Sequence, residues 1–232
     1  MNLVYLDLAA KHGADPVAFE KKVRDISMYL LTNPNNLMLT MKSESGINPR
    51  AYNPNGGATG LIQFMPSTAK GLGTTTEALY NMTALQQLDY VLKYFAPFKG
   101  KLNSYFDVYA VTFFPLMLNM KDDDIVQSKN LSAEKISLSN PGIAKAAGKT
   151  PGTPLTKSDF RKYVYSTVPD AIKGYVFTAA ESAAHEAEKV VTAVTDVVTS
   201  TVKPAIVIPG GKFGSYKKKR LKRPSSLVRP HS

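Results

Sequence analysis

The chain has 232 residues, 44% of them hydrophobic, which supports one packed domain of roughly 150 residues plus an appendage and argues against wholesale disorder. It has no cysteine, which excludes disulfides, thiolate nucleophiles and cysteine-based zinc sites; His12, His185 and His231 lie too far apart for a metal-ligand spacing, so neither a metal nor a cofactor is expected. The formal net charge is +11, but eight of the 29 Lys and Arg fall in residues 212–232 beside no acid, so the excess is a basic tail on a nearly neutral body and not a general nucleic-acid-binding surface.

The first residues, MNLVYLDLAAKHGADP, lack a basic leader region, and Asp7 breaks the apolar run, so no signal peptide is expected. Asp15 offers a cap and Pro16 suits a first helical position. Phe19, Val23, Ile26 and Leu30 then recur at helical spacing, which predicts a helix over 15–32. Asn33 and Pro34 restart the chain into a second helix running to about Glu44, with Gly46 as its terminator. Residues 47–60 read as turn-rich loop from their Asn-Pro, Asn-Gly and Gly-Gly signals. The apolar run 61–65 (LIQFM) reads as a short strand, and Pro66 opens a short helix. Two further helices follow over 83–98 and 104–114, parted by a Lys-Gly-Lys turn at Gly100. The longest apolar run, 108–120, falls short of the roughly 20 residues a membrane span needs. Residues 121–158 read as polar and irregular, and 159–168 as helical. From 170 to about 202, Ala180, Ala184, Ala187, Val191, Val194 and Val198 alternate spacings of four and three, a narrow coiled-coil-like stripe that Pro204 ends.

Glu44 is the one acidic residue between Asp25 and Glu77. It shares a stripe with Leu37 and Met41 (i, i+4, i+7), which places a carboxyl on an inward face at the C-terminal end of its helix. Burial and the negative end of the helix dipole both disfavour the charged form, so this carboxyl is expected to hold its proton toward neutral pH, as a general acid requires. On helix geometry alone the plainer reading, a surface glutamate at a frayed helix end, stands first; the residues that follow change the weighting.

Glu44-Ser45-Gly46, then Asn48-Pro49, then Gly60-Leu61-Ile62-Gln63-Phe64-Met65-Pro66-Ser67-Thr68-Ala69 resembles, in order and spacing, the motifs of the lytic transglycosylases, enzymes with the goose-type lysozyme fold. Val108, Tyr109, Ala110 and Val111, followed by Phe114 and Pro115, resembles the phage-encoded version of the third family motif, and lacks the Tyr-Asn-Ala-Gly form found in many cellular members. Asn140-Pro141-Gly142 and 155–159 (LTKSD) resemble a segment after the catalytic core of phage relatives. The resemblance spans residues 15–168. It implies a mainly α, lysozyme-like α+β core with a small β/loop element. It also implies cleavage of the N-acetylmuramic acid–N-acetylglucosamine bond in peptidoglycan with formation of a 1,6-anhydro sugar. Glu44 would be the single acid and base. That agrees with the absence of a second acid near it in sequence, although Asp89, Asp107 and Asp122 remain able to approach in space.

By the same resemblance Gln63 and Phe64 line the sugar groove, where a loop glutamine in water is the alternative for Gln63. Tyr109 contacts the reacting sugar or holds Glu44, against a core tyrosine whose hydroxyl the backbone satisfies. Ser45 positions the glutamate or the substrate, or simply helps to end the helix.

The chain therefore divides into a lysozyme-like domain over 1–168, a long Ala/Val-rich helix over 169–204 and a basic, disordered tail over 205–232. The helix fits a coiled coil, a packed helix or an anchor in a larger assembly; the tail fits a solvated end or attraction to anionic lipid, nucleic acid or an acidic protein. A wall-cleaving domain with such an appendage and no signal peptide is expected in a phage virion, acting on peptidoglycan strands and bound to other virion proteins through 170–232. Two alternatives stand beside it, a goose-type lysozyme that adds water and a non-catalytic virion structural protein with a degenerate sugar-binding domain.

Overall fold

A computed structural model describes residues 2–177, and these are mainly helical. The chain opens with α1 (Leu6–Lys11), for which the sequence carried no capping signal. In α2 (Pro16–Leu30), the Asp15 side chain accepts from Ala18 N–H at 2.7 Å, and Phe19, Val23, Ile26 and Leu30 are buried, as their spacing predicts. In α3 (Pro34–Ser45), Asn33 caps the start through Asn35 N–H at 2.8 Å. Gly46 and Ile47 then both take left-handed backbone conformations (φ 64° and 61°), which turns the chain sharply and drops Ile47 into the core.

The expected single inward stripe of α3 is too narrow. Asn35, Asn36, Leu37, Met38, Leu39, Thr40 and Met41 are all buried, because helices pack on every side of α3. Leu37, Met38 and Met41 join an apolar core built with α2 and the following elements, whereas Leu39 belongs to a second core. The buried Asn35 amide ties down the start of the chain, accepting from Val4 N–H at 3.0 Å and donating to Asn2 C=O at 3.4 Å.

Residues 47–60 contain a hairpin of β1 (Tyr52–Asn53) and β2 (Ala58–Thr59), antiparallel with Tyr52 opposite Thr59. The strand expected over 61–65 is a tight turn instead. Thr59 and Phe64 exchange backbone bonds at 3.0 and 2.8 Å, which closes residues 60–63 into a loop too short to extend. Then come α4 (Pro66–Gly71), expected from its proline, and α5 (Thr76–Asn81), which the sequence reading passed over. A Thr83–Gln86 capping box starts α6 (Ala84–Phe95), and α7 (Tyr105–Phe113) is capped by Ser104. Val108 and Val111 of α7 face the first core and Tyr105, Phe106, Tyr109 and Ala110 the second, so α3 and α7 together form the wall between the two.

The stretch 121–158 is not irregular. It holds α8 (Ala133–Leu138) and α9 (Pro141–Ala146), whose Ile136, Ile143 and Ala144 are buried with Val126 and Leu155 in the second core. Apolar residues this sparse make short helices that are stable only when packed. They pack against α10 (Lys157–Ser166), where a Thr156–Asp159 capping box sets the start. Of the stretch expected as a long helix, α11 (Asp170–Phe177) is described, and it touches α3. The rest of that stretch, its Ala/Val stripe, the basic tail and the partner surfaces expected of them lie outside the described residues. Among the described residues no helix is long and apolar enough to cross a membrane.

Candidate active site

Glu44 stands in the last turn of α3, half-buried, with Oε2 below the surface. The next residue links that turn to the rest of the site. Ser45 Oγ lies 3.0 Å from Met41 C=O and 2.9 Å from Leu61 C=O, so its one proton is shared between the helix and the turn at 60–63. Ser45 thus holds the end of α3 against the turn.

The turn itself is fixed from beneath. Gly60 takes φ 79°, its N–H donates to Ala51 C=O at 2.9 Å, and its C=O accepts from Gln63 N–H at 3.0 Å. Gln63 also sits in the left-handed region (φ 54°), a conformation that costs a non-glycine residue energy and is kept only where the surroundings impose it. The Gln63 Nε2 amide group donates to Ala51 C=O at 3.3 Å and to Gly60 C=O at 3.2 Å. Both amide hydrogens are thereby used on backbone, and the carbonyl Oε1 is the atom the side chain has left to offer a ligand.

Phe64 is a correction. It is 2% exposed and packs edge-on against Tyr94 with ring centroids 6.3 Å apart, in the first core. Its ring is buried with Leu61 and Ile62 of the same turn in the first core. It anchors the turn and does not line the groove.

The residue that the sequence reading missed is Gln87. It is fully buried on α6 between Ala84, Leu88 and Val91. Its Oε1 accepts from Leu61 N–H at 2.8 Å, and its Nε2 donates to Pro49 C=O at 2.6 Å and Leu79 C=O at 2.7 Å. One side chain therefore ties the Gly60–Leu61 corner to the loop after α3 and to the end of α5. A Cβ on Gly60 would overlap this amide, which explains the glycine there. The signal was present in the sequence: a glutamine on an otherwise apolar helical stripe has to find buried partners.

Residues 29–103 match the family model described as the transglycosylase SLT domain. No curated protein and no solved structure matches the chain. The transglycosylase segment begins in α2 and stops before α7, so it contains Glu44, Ser45, Gln63, Phe64 and Gln87 but not Tyr109.

Tyr109 lies on α7, outside that match. It is 7% exposed, stacked on Phe113 at 5.8 Å, and lines a cavity of about 200 Å³ whose α3 wall is Leu39, Lys42 and Ser43. Glu44 is not on that wall; it follows Ser43 by about 100° around the helix. The three aspartates that could have supplied a second carboxylate each have a partner of their own. Asp89 pairs with Lys22 at 2.8 Å, Asp107 accepts from Ser104 at 2.9 Å within the α7 cap, and Asp122 pairs with Arg161.

Proposed function

We propose that this protein is a lytic transglycosylase that cleaves peptidoglycan strands between N-acetylmuramic acid and N-acetylglucosamine, with Glu44 as its acid and base. The observation that carries the reading is the Glu44 carboxyl, partly sunk at the end of α3, one residue from the hydroxyl that binds α3 to the Gly-Leu-Ile-Gln turn. The transglycosylase match over 29–103 supports the same chemistry.

In the first half of the reaction Glu44 gives its proton to the glycosidic oxygen, and the bond to the muramoyl anomeric carbon breaks. The resulting carboxylate then takes the proton of the muramoyl 6-hydroxyl, whose oxygen closes on that carbon. No water is consumed, and the glutamate ends protonated, ready to repeat. Burial and the C-terminal end of a helix both disfavour the ionised carboxylate, which favours the acid needed first. In this reading Gln63 Oε1 accepts a hydrogen bond from the sugar, its amide hydrogens being used on Ala51 and Gly60 C=O.

Two measurements test this. Mass spectrometry of digested peptidoglycan is expected to show anhydro ends, lighter than reducing ends by one water; reducing ends would make the enzyme a hydrolase on the same scaffold. Glu44→Gln is expected to lower the rate by at least about 100-fold, the scale of general acid catalysis, and clearing of a peptidoglycan gel by that variant would remove Glu44 from its role.

The phage-type forms of the motif at 108–115 and of the segment at 140–159 support a virion enzyme that opens the wall locally during genome entry. Detection of the chain in purified particles by mass spectrometry tests that assignment.

A further inference from the structure

The cavity on the Ser43 flank of α3 sets Leu39, Lys42 and Ser43, which lie within the transglycosylase match, against residues outside it: Tyr5 from the N-terminal segment, Tyr105 and Tyr109 from α7, and Tyr163 from α10. Four phenols are an unusual wall for a space of about 200 Å³, which is room for a short polar arm together with water at roughly 30 Å³ a molecule. Among the described residues that line it there is one cation, Lys42, and no carboxylate. The Lys42 ammonium lies 5.6 Å from the centre of the Tyr5 ring, so the charge is held by a π face and remains available to an anion. Tyr5 itself takes a left-handed backbone conformation (φ 61°), in a segment that Asn35 pins to α3. Burial pushes the phenols of Tyr105, to about 12, Tyr109 and Tyr163 upward; for Tyr5, burial and then the Asp7 charge act the same way. All four hydroxyls therefore stay protonated at neutral pH. A concave wall with a single cation and neutral hydroxyls, bare of acids, focuses positive potential on whatever enters.

We infer that this cavity receives the carboxylate-bearing arm on O3 of the muramoyl sugar, with Lys42 as the counter-charge. The inference rests on the reading of Glu44 above, because Ser43 of the cavity wall and Glu44 are consecutive, with their Cα atoms about 3.8 Å apart. The arm has two sources of carboxylate. On a bare strand it is the lactyl acid itself; on a substituted strand it is an acid of the peptide stem. N-acetylglucosamine has no such arm, so Lys42 would distinguish the two alternating sugars of the strand.

The test uses the full chain carrying Glu44→Gln, titrated with N-acetylmuramic acid, its methyl ester and N-acetylglucosamine, followed by NMR. The acid is expected to bind at least about tenfold tighter than the ester, the scale of a charge-assisted hydrogen bond. Lys42→Met is expected to abolish that preference and Lys42→Arg to restore it. Equal binding of acid and ester, binding of neither, or a preference that survives Lys42→Met would overturn the inference. Rates of the Lys42→Met chain on strands stripped of stems and on intact strands identify the source: a penalty confined to stripped strands assigns the lactyl acid, one confined to intact strands assigns the stem, and none on either overturns the inference. The reading of Glu44 is tested separately, since it fails only if the Glu44→Gln chain still cuts.

Discussion

Replacing Gln87 by leucine keeps the bulk of the side chain and removes its amide. Of the three backbone groups that Gln87 satisfies, Leu79 C=O keeps a second partner, Met82 N–H at 3.0 Å. Leu61 N–H and Pro49 C=O are left without their partner in a buried place. Each such group costs about 1–3 kcal/mol, or roughly 2–6 kcal/mol for the pair, and the added apolar burial of leucine offsets about 1 kcal/mol. A net loss of about 1–5 kcal/mol is expected, against the roughly 5–15 kcal/mol typical of a whole domain. Urea unfolding of the full chain measures it. The neighbouring Gln86 serves as the control: it is exposed, and its Oε1 accepts from Thr83 N–H at 2.9 Å in the capping box, so Gln86→Leu is expected to cost about 1 kcal/mol or less. Because Gln87 also holds the corner that carries Gln63, the lytic rate of Gln87→Leu is expected to fall under conditions where the chain remains folded. Equal stability losses at 86 and 87, with unchanged rate, would refute the account of this turn.

Phe64→Ala is expected to cost about 3–5 kcal/mol, the range for an aromatic lost from a packed core, read by urea unfolding; a loss near zero with a raised KM would return Phe64 to the groove. For Asp159, desolvation alone would raise the carboxyl pKa, but the Lys149 ammonium at 2.7 Å and the Thr156 N–H and hydroxyl outweigh it and hold the value below the usual carboxylate range. A depressed folded value means stability fully present above the ordinary value of 3.8 and lost as pH falls through the depressed one. Asp159→Asn is therefore expected to unfold more easily than the parent chain at pH 7, with the difference shrinking below pH 3.8 in thermal melts.

Where one residue type meets one backbone demand, the sequence was readable. Asp15, Pro16, Asn33, Pro34 and Gly46 each mark a helix end where the structure has one, because caps act within a turn of the chain. The motif that joins Glu44 to Gln63 was legible through its resemblance to a family, although its serine and its glycine answer residues farther along the chain, Leu61 and Gln87. Legibility failed where the partner is distant. LIQFM looks like a strand because it is apolar, yet its pairing partner lies five residues back across a turn, and a loop that short cannot extend. The helices α8 and α9 carry too few apolar residues to show a period, and they form because α10 and the second core cover them. The cavity that Tyr109 lines is completed by Tyr5 and Tyr163, more than fifty residues away in each direction, and no local pattern encodes it.

A reaction that closes the substrate's own hydroxyl on its anomeric carbon asks one carboxyl to serve two oxygens in succession. The carboxyl therefore has to stay fixed while the sugar rearranges around it, and the fold supplies a reason for it to stay. Most helices that end at a surface keep one free face; α3 is covered along its whole middle, by the first core through Leu37, Met38 and Met41 and by the second through Leu39. Its last turn is then held on one flank by Ser45 against Leu61 and meets on the other the Tyr105 hydroxyl through Ser43. With Asp89, Asp107 and Asp122 each partnered, the proposed reaction leaves both proton transfers to Glu44, which a well-packed α3 would hold in place. Loosening either flank is accordingly expected to reduce the rate without touching the acid itself, and that sets the Ser45 and Gln87 side apart from Glu44.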